Sequence, residues 1–574
     1  MGRGFGTREN PGCVLPEGPV FVKININMNN VKTFILGLDG ADWSVLEPLI
    51  KEGILPNFSR LYSGAHGPLD STCPPLTPPG WTSSVTGRNP GKHNIFDFFS
   101  YSGRDYDLHL TNRKDRACRA IWNYVSEEGG RVLVMNVPHT YPPEKVNGYL
   151  ISGFGTPEWD CAYTFPPELK KRILKGHPSF KVDMPSRLLH EGNFKAFTEQ
   201  VNAHCEEQFK VFTELYAELK PHFAMFAFVE MDRLFHFFWK ENMVEKKGPY
   251  ATLFRDHFVF LDKLLGPFLD SLDDQTAVMV ISDHGFGEVK KDIYVNNWLR
   301  EKGYLAVKEG KDAVKEGTVP AWKLKTAAFL DKIGLWGVYL KLRRAQLEKS
   351  NSAGAGAETV RSATALSAVD WAKTKAYFSS MSARSLRLNL EGREFCGVVK
   401  KEEYAQLQDR IARELLELKD EDGTQVITRV FKPQDAYRGE HVLSASDLYL
   451  EPAPGYSFNQ GFAAGVIMPS TQHGQPRSGD HRQYGVFMLQ GPQIKQGLCL
   501  DAEIIDVTPT MLALMGIPLS SELDGKPLTE AMDPEFVNAN PVRRYQEAPY
   551  GECPKGEEEN EEKLQERLKD LGYL

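Results

Sequence analysis

Short apolar runs that end in Gly, Pro or Asp recur along the chain. They occur at residues 31–40 (VKTFILGLDG), 131–138, 149–155, 223–232, 276–285 and 484–492. Stretches with helical spacing lie between some of them, such as 43–62 and 254–272. Apolar runs of this length are typical of buried strands, and their alternation with helices predicts an α/β fold. We therefore expect a three-layer sandwich with a mostly parallel central sheet and helices on both faces.

The alternation is interrupted between residues 301 and 470, which we interpret as a cap inserted into the catalytic domain. Residues 322–349 and 402–420 have helical patterns, whereas the Gly/Ala/Ser-rich stretch at 350–365 predicts a mobile loop. The catalytic domain then comprises 31–300 and 471–535. Residues 1–30 form a loose leader, and 536–574 form a tail that ends in a charged helix.

Composition narrows the functional classes. The chain has 574 residues and a formal net charge of -8, which argues against binding of a nucleic-acid polymer. No apolar run approaches the ~18 residues of a membrane span, and residues 1–30 lack the apolar stretch of a signal peptide. The eight Cys contain no CxxC pair, a pattern typical of reduced, intracellular proteins. A soluble cytoplasmic protein without a membrane partner is predicted.

Acidic and imidazole side chains lie at the ends of several predicted strands. Five candidates end or follow a predicted strand, namely Asp39, Asp232, His236, Asp283 and His284, whereas His481 lies just before the strand at 484–492. Ligands of open α/β sheets bind beyond the carboxyl ends of the strands, so these side chains are expected to converge. Their oxygen and nitrogen atoms suit Zn²⁺, or alternatively Mn²⁺, and they suffice for two ions. His473 competes with His481 for the last position.

The stretch LTPPGWTSSVTG, residues 76–87, predicts a short helix capped by Thr77, because Pro is favoured at helix starts. A helix N-terminus also favours an anion, which would lie beside the Thr77 hydroxyl. A free threonine is a poor nucleophile, but metal coordination can generate its alkoxide. Thr77 is therefore the candidate nucleophile.

Several motifs together resemble the alkaline phosphatase superfamily, and within it the type I phosphodiesterase/nucleotide pyrophosphatase family. These are LGLDGADW, LTPPGWTSSVTGRNPGKHNIFDF, VEMDRLFH, VISDHGFG and GDHRQYGVFMLQGP, in the family's order. The segment YVNNWLREKGYL is similar to members of the phosphohydrolase/phosphomutase-like branch.

The resemblance implies two adjacent metal ions, usually zinc. One ion would be held by Asp39, Thr77, Asp283 and His284, and the other by Asp232, His236 and His481. Thr77 would attack phosphorus and form a covalent phospho-threonine, which water would then hydrolyse. The resemblance thus predicts a small-molecule phosphate ester as substrate, with phosphodiester or nucleotide pyrophosphate bonds cleaved.

Some positions depart from the family's patterns. Gly80 and Trp81 stand where many eukaryotic members have an Asn-His pair, so we consider a phosphate contact from the Gly80 N–H and a stacking face on Trp81. The sequence does not identify a phosphate-binding arginine, although Arg88, Arg233 and Arg482 lie near motifs. The alternatives are a phosphomonoesterase, a phosphomutase acting on a sugar phosphate, or an inactive binding protein of the same fold.

Overall fold

Strand β1 (Lys32–Leu38) lies in the middle of the main sheet and is buried from Thr33 onward. Phe34, Leu36 and Leu38 belong to one hydrophobic core, whereas Ile35 belongs to another. Because successive side chains of a strand point to opposite faces, these two cores lie on opposite faces of the sheet. The computed structural model describes residues 30–101, 106, 108–157, 161–184, 188, 193–308, 365–472 and 475–550.

The main sheet contains ten strands within the described residues. In spatial order they are β21 (Leu498–Cys499), β2 (Ala65–Asp70), β20 (Tyr484–Gln490), β9 (Thr276–Ile281), β1, β8 (Phe223–Phe228), β5 (Val132–Met135), β6 (Gly148–Ile151) and β7 (Thr164–Phe165), while β22 (Ala502–Glu503) also pairs with β2. Strand β20 is antiparallel to both of its neighbours and β7 is antiparallel to β6, whereas the other pairs are parallel. The predicted α/β class with a mostly parallel sheet is confirmed.

Helices cover both faces of this sheet. The described α-helices are α1 (Trp43–Lys51), α2 (Pro56–Tyr62), α3 (Thr77–Thr86), α4 (Pro90–His93), α5 (Ile121–Glu127), α6 (Glu168–Gly176), α7 (Phe194–Leu219), α8 (Glu230–Trp239), α9 (Leu253–Asp270), α10 (Val295–Glu301), α11 (Lys401–Leu416), α12 (Pro433–Ala436), α13 (Val507–Leu514) and α14 (Pro534–Ala539). Side chains of α1, α2 and α6–α9 pack in the core that contains Phe34. Side chains of α3, α5 and α13 pack in the core that contains Ile35. The sheet and the two helical layers form the expected sandwich.

The helical pattern of residues 43–62 forms two helices rather than one. Asp42 is the N-cap of α1, with its side chain accepting a hydrogen bond from Ser44 N. Helix α1 ends at Lys51, and Gly53 then adopts a φ of +76°. Glycine tolerates this left-handed conformation, which ends a helix, and Pro56 starts α2.

The region between β9 and β20 has its own hydrophobic core, which runs from Ile293 to Phe462. Its strands are β10 (Gly285–Tyr294), β11 (Ala376–Ser380), β12 (Ser385–Leu388), β13 (Ile427–Phe431), β14 (Leu448–Pro452), β15 (Gly455–Asn459), β16 (Ile467–Pro469) and β19 (Gly479–Arg482). Strands β11, β12, β14 and β13 form one sheet, and β15, β10 and β16 form another, with β19 paired to β10. The predicted helix at 402–420 is confirmed as α11. We call residues 293–470 the cap. The domain boundaries expected from the sequence, 301–470, remain a prediction.

Three short strand pairs complete the described architecture. They are β3 (Phe99–Tyr101) with β4 (Leu108–Leu110), β17 (Thr471–Gln472) with β18 (Gln475–Pro476), and β23 (Leu519–Ser520) with β24 (Arg544–Tyr545). In the part of the chain that the structure describes, no helix has both the length and the apolar character of a membrane span. The predicted leader, the cap helix at 322–349, nearly all of the loop at 350–365 and the terminal charged helix lie outside the described residues.

Candidate active site

The first group of candidate ligands lies where β1 and β9 end. Asp39 follows β1, and Asp283 and His284 follow β9. One ligand atom from each lies within 4.8 Å of the others. His284 Nε2 is 3.3 Å from Asp283 Oδ2 and 3.8 Å from Asp39 Oδ1. Because β1 and β9 are adjacent and parallel, their carboxyl ends bring these side chains together.

The second group combines helix α8 with strand β19. Asp232 and His236 lie one helical turn apart on α8, and His481 lies on β19. Asp232 Oδ1 is 3.4 Å from His236 Nε2 and 3.2 Å from His481 Nε2. The two histidine Nε2 atoms are 3.2 Å apart. Two imidazole nitrogens and one carboxylate oxygen thus converge on a single point.

The two groups adjoin each other, and Thr77 lies beside them. The rings of His284 and His481 stack with their centroids 3.6 Å apart. Thr77 Oγ1 is 3.4 Å from His284 Nε2. The structure therefore brings all seven candidates into one buried cluster, in which no residue is more than 6% exposed.

Backbone carbonyls orient the three histidines. The Nδ1 atom lies 3.0 Å from Gly479 O in His236, 3.1 Å from Gly285 O in His284 and 3.3 Å from Pro75 O in His481. A carbonyl oxygen only accepts hydrogen bonds, so each ring, when neutral, carries its single proton on Nδ1. The Nε2 lone pairs consequently point into the cluster, which is the arrangement that metal-binding histidines adopt.

Buried carboxylate oxygens without partners also fit a cation. Asp39 Oδ1 and Asp283 Oδ2 are inaccessible and have no hydrogen-bond partner among the described residues. Burial, followed by the charges of Asp283 and Asp232, raises the pKa of Asp39 well above its usual range. Burial likewise raises the pKa of Asp283. Such oxygens are costly to bury unless a positive charge lies next to them.

The second group differs in its protonation. Burial opposes ionisation of Asp232, but the positive charges that His236 and His481 carry when protonated, together with the Nε2–H donors gained on protonation, hold the pKa of Asp232 well below its usual range. Burial lowers the pKa of His481, and burial together with the His481 charge lowers that of His284. Neutral imidazoles and an ionised carboxylate are the forms that ligate metals.

Thr77 is the first residue of α3, and Leu76 is its N-cap. The sequence predicted Thr77 itself as the cap. The difference follows from Pro78 and Pro79, which have no N–H for a capping side chain, and from Gly80, whose N–H donates to Leu76 O instead. The Thr77 hydroxyl therefore makes no capping bond and is directed toward His284.

Gly80 and Trp81 have positions that differ from the substrate contacts we considered. The Gly80 N–H donates a helical hydrogen bond of 2.8 Å to Leu76 O. A Cβ at Gly80 would lie 3.1 Å from Asp283 Cβ, so glycine allows α3 to approach the Asp283 turn. Trp81 is fully buried, and its ring packs over Gly37 of β1. In this structure Trp81 offers no face to a substrate, and its indole Nε1 donates to Asp39 Oδ2 at 3.0 Å.

The three arginines near the motifs are not surface charges. Arg88 pairs with Glu547, and Arg233 Nη2 donates to Asp183 Oδ1 at 2.5 Å. Arg482 donates to the carbonyls of His481 and Glu288 at 3.0 and 2.6 Å. These contacts hold the segments around the site together rather than presenting a guanidinium to Thr77.

One cap residue that the motifs do not indicate reaches the second group. Arg384 lies in the turn between β11 and β12, is 5% exposed and has a φ of +50°. Its Nη2 donates to His481 O at 2.9 Å and lies 3.4 Å from Asp480 Oδ2. Arg384 is 97 positions from His481 in the chain, so no local pattern could have linked them. His473, the competing candidate, lies outside the described residues.

Access to Thr77 is narrow. Thr77 lines a recess of about 10 Å³ together with Phe98, Leu110 and Thr111. This volume holds about one water molecule. A phosphate ester can therefore reach the hydroxyl only if side chains around the recess move.

Comparison with solved structures finds a match to murine ectonucleotide pyrophosphatase / phosphodiesterase 5, an inactive variant in complex with AMP. The match has a TM-score of 0.45 and 11% sequence identity, and covers 88% of this chain and all of the other. A comparison with curated proteins finds no match.

A match to a family model covers most of the chain. Residues 33–478 match the model described as type I phosphodiesterase / nucleotide pyrophosphatase. The match includes every candidate site residue except His481, which lies just beyond it. The resemblance inferred from the motifs is confirmed, and the chain belongs to the type I phosphodiesterase / nucleotide pyrophosphatase family, a family of metal-dependent hydrolases.

Proposed function

We propose that the protein is a two-metal phosphohydrolase that cleaves phosphodiester or nucleotide pyrophosphate bonds through a covalent phospho-threonine at Thr77. The observation that carries the proposal is the buried cluster itself. Two groups of three ligands adjoin each other, and one threonine hydroxyl lies 3.4 Å from a ligand of the first group. The family assignment supports hydrolysis of phosphate esters.

The residues fit two divalent cations. Asp39, Asp283 and His284, with Thr77, would hold one ion, and Asp232, His236 and His481 would hold the other. The mixture of oxygen and imidazole ligands suits Zn²⁺ or Mn²⁺. When bound, the ions would stabilise charge on the phosphate oxygens and favour the ionised form of the threonine hydroxyl.

Thr77 is the nucleophile in this proposal. Its hydroxyl loses a proton to solvent, and Oγ1 forms a bond to phosphorus as the bond to the leaving alcohol or phosphate breaks. Water then attacks the phosphorus of the phospho-threonine, releasing the product and restoring the hydroxyl. The two prolines after Thr77 support this role because they leave the hydroxyl free of a capping bond.

Trp81 and the backbone carbonyls would act as positioning groups. The Trp81 indole fixes one oxygen of Asp39, which leaves the other oxygen directed into the cluster. The carbonyls of Pro75, Gly285 and Gly479 fix the histidine tautomers. Such contacts pre-orient the ligands, so little reorganisation is required when ions bind.

Replacement of the nucleophile tests the proposal. Thr77→Val, loaded with Zn²⁺ or Mn²⁺, should lose bis-p-nitrophenyl phosphate turnover by about a thousandfold or more. Thr72→Val is the matched control, because Thr72 is a buried threonine in the loop that precedes α3, and its hydroxyl donates to Pro74 O at 3.0 Å. Normal turnover by Thr77→Val would contradict the proposal.

A phosphomonoesterase or a phosphomutase acting on a sugar phosphate is the second candidate. A monoester carries more negative charge than a diester, and Arg88, Arg233 and Arg482 all make other contacts. We therefore expect faster hydrolysis of bis-p-nitrophenyl phosphate than of p-nitrophenyl phosphate. The reverse preference would favour the second candidate, and no turnover of either by the loaded protein would favour an inactive binding protein.

The cytoplasmic location stays a prediction.

A further inference from the structure

A cavity of about 180 Å³ lies where the cap meets the catalytic domain. Its catalytic wall includes Asp97 and Thr111, and its cap wall includes Ser385, Arg387 and Ser446. It is distinct from the recess at Thr77. No residue of the two ligand groups lines it.

The cavity nevertheless adjoins the candidate active site on two sides. Thr111 lines both the cavity and the recess that contains Thr77. Ala383 lines the cavity, and the next residue, Arg384, donates to the carbonyl of His481. A group that is attached to a phosphate beside Thr77 and extends past Thr111 would therefore enter this cavity.

The polar groups of the cavity suit a ligand with hydroxyls. The Ser385 hydroxyl lies 2.9 Å from that of Ser379, which in turn lies 3.4 Å from that of Ser446. Hydroxyls both donate and accept, so this network can adapt to a ligand's own hydroxyls. Phe99, Tyr101 and Tyr449 add aromatic surface, against which apolar C–H faces can pack.

The charge of the cavity disfavours an anionic ligand. Its described cation is Arg387, whose Nη2 lies 3.3 Å from Glu394 Oε1. Asp97 and Asp115 belong to the same lining. A second phosphate, as in a nucleotide pyrophosphate, would meet no unbalanced positive charge here.

The size of the cavity excludes large groups. Sites that enclose drug-sized ligands measure about 300–1,000 Å³, well above the volume found here. A cavity of this size suits a glycerol or a single sugar ring better than a nucleoside.

We propose that this cavity holds one alcohol of a phosphodiester substrate and that this alcohol is a small polyol, either glycerol or a single sugar. The inference rests on the proposed function and narrows it from nucleotide pyrophosphates to diesters of small polyols. The phosphate would lie at Thr77, and the polyol would contact the serine hydroxyls of the cap.

Four p-nitrophenyl diesters with the same leaving group test the inference, namely those of methanol, glycerol, glucose and thymidine. For the metal-loaded protein we expect kcat/KM for the glycerol or the glucose diester to exceed that of the methyl diester by about tenfold or more. The thymidine diester should be no better than the methyl diester. Equal values for the methyl, glycerol and glucose diesters, or a preference for thymidine, would overturn the inference.

The variant Ser385→Val tests whether the preference for polyol diesters depends on the cavity. It removes a hydroxyl from the cavity lining and adds volume, at a strand position that valine tolerates. It should reduce the polyol preference to about twofold or less, and Ser446→Ala, which only removes a hydroxyl, should reduce it about threefold. Thr428→Val is the control, since Thr428 is exposed on β13 of the same sheet. An unchanged preference in both serine variants would contradict the proposal.

The two proposals can fail separately. If wild type turns over none of the four diesters, the proposed function fails, and thermal unfolding with glycerol or methyl glucoside then tests the cavity. Stabilisation of wild type by either ligand, reduced in Ser385→Val and retained in Thr428→Val, would support occupancy by a polyol. An equal melting temperature with and without both ligands would overturn it.

Discussion

The indole Nε1 of Trp81 donates a hydrogen bond of 3.0 Å to Oδ2 of Asp39, while Oδ1 of the same carboxylate is buried without a partner among the described residues. A neutral donor thus satisfies one oxygen and leaves the other directed into the ligand cluster. Gly37 makes the contact possible, because a Cβ there would lie 2.4 Å from the Trp81 ring. The site is therefore built from the packing of α3 against β1.

Trp81→Phe should keep the fold but weaken metal binding. The substitution retains the aromatic packing and removes the hydrogen bond to Asp39, and loss of such an orienting contact typically costs about 10–100-fold in metal affinity. Activity should recover when Zn²⁺ or Mn²⁺ is raised. Metal titration followed by turnover measures the shift. Trp122→Phe is the control, because Trp122 donates to Glu144, which belongs to neither ligand group. An affinity equal to that of wild type would exclude this role for Trp81.

Asp283→Asn should stabilise the metal-free protein and abolish its stabilisation by metal. Burial raises the pKa of Asp283, and its Oδ2 has no hydrogen-bond partner within the described part of the chain, so the charged form costs folding free energy. An amide removes that charge. Chemical unfolding with chelator and with Zn²⁺ compares the two proteins. Wild type should gain stability on metal addition, because a ligand that binds only the folded state stabilises it. A metal-free variant less stable than wild type would contradict the argument.

Asp97 should make stability depend on pH. Burial raises the pKa of Asp97 to about 6, although Ser380 and Ser382 oppose the shift. Between about pH 4 and pH 6 the folded state therefore retains a proton on Asp97 that the unfolded state has lost. The free energy of unfolding consequently decreases as pH rises through this range. Asp97→Asn should thus be more stable than wild type at pH 8, by up to about 3 kcal/mol, and lose that advantage near pH 4. Urea unfolding at both pH values provides the comparison. A constant difference would refute the assignment.

Arg384→Met should reduce metal affinity at the second group more than at the first. The guanidinium bonds the carbonyl of His481, so its loss frees the strand that carries this ligand. Spectroscopic titration with Co²⁺ would show one weakened site and one unchanged site. The control is Arg429→Met, because Arg429 is an exposed arginine of the same cap sheet. Equal weakening of both sites would indicate general destabilisation.

The sequence predicts those parts of the molecule that depend on local patterns. The strands that precede Asp39 and Asp283 are recognisable because a buried strand requires a continuous apolar run, and adjacent parallel strands bring their ends together. The position of Arg384 is not predictable, since it depends on how a separately folded region docks. The hydrogen bond between Trp81 and Asp39 is also not predictable from the sequence, because it requires α3, the helix that follows β2, to pack over β1. The helix end at Gly53 is also not evident from the pattern, because the apolar spacing continues across it.

The central claim is that Thr77 becomes covalently attached to phosphorus during turnover. Metal-loaded protein should be quenched with acid while it turns over bis-p-nitrophenyl phosphate, and its peptides analysed by mass spectrometry. We predict a p-nitrophenyl phosphoryl adduct on Thr77 in wild type and none in Thr77→Val. An adduct on another residue would contradict the account. So would the absence of any adduct while product forms at the full rate, together with inversion of configuration when a chiral phosphorothioate diester is the substrate.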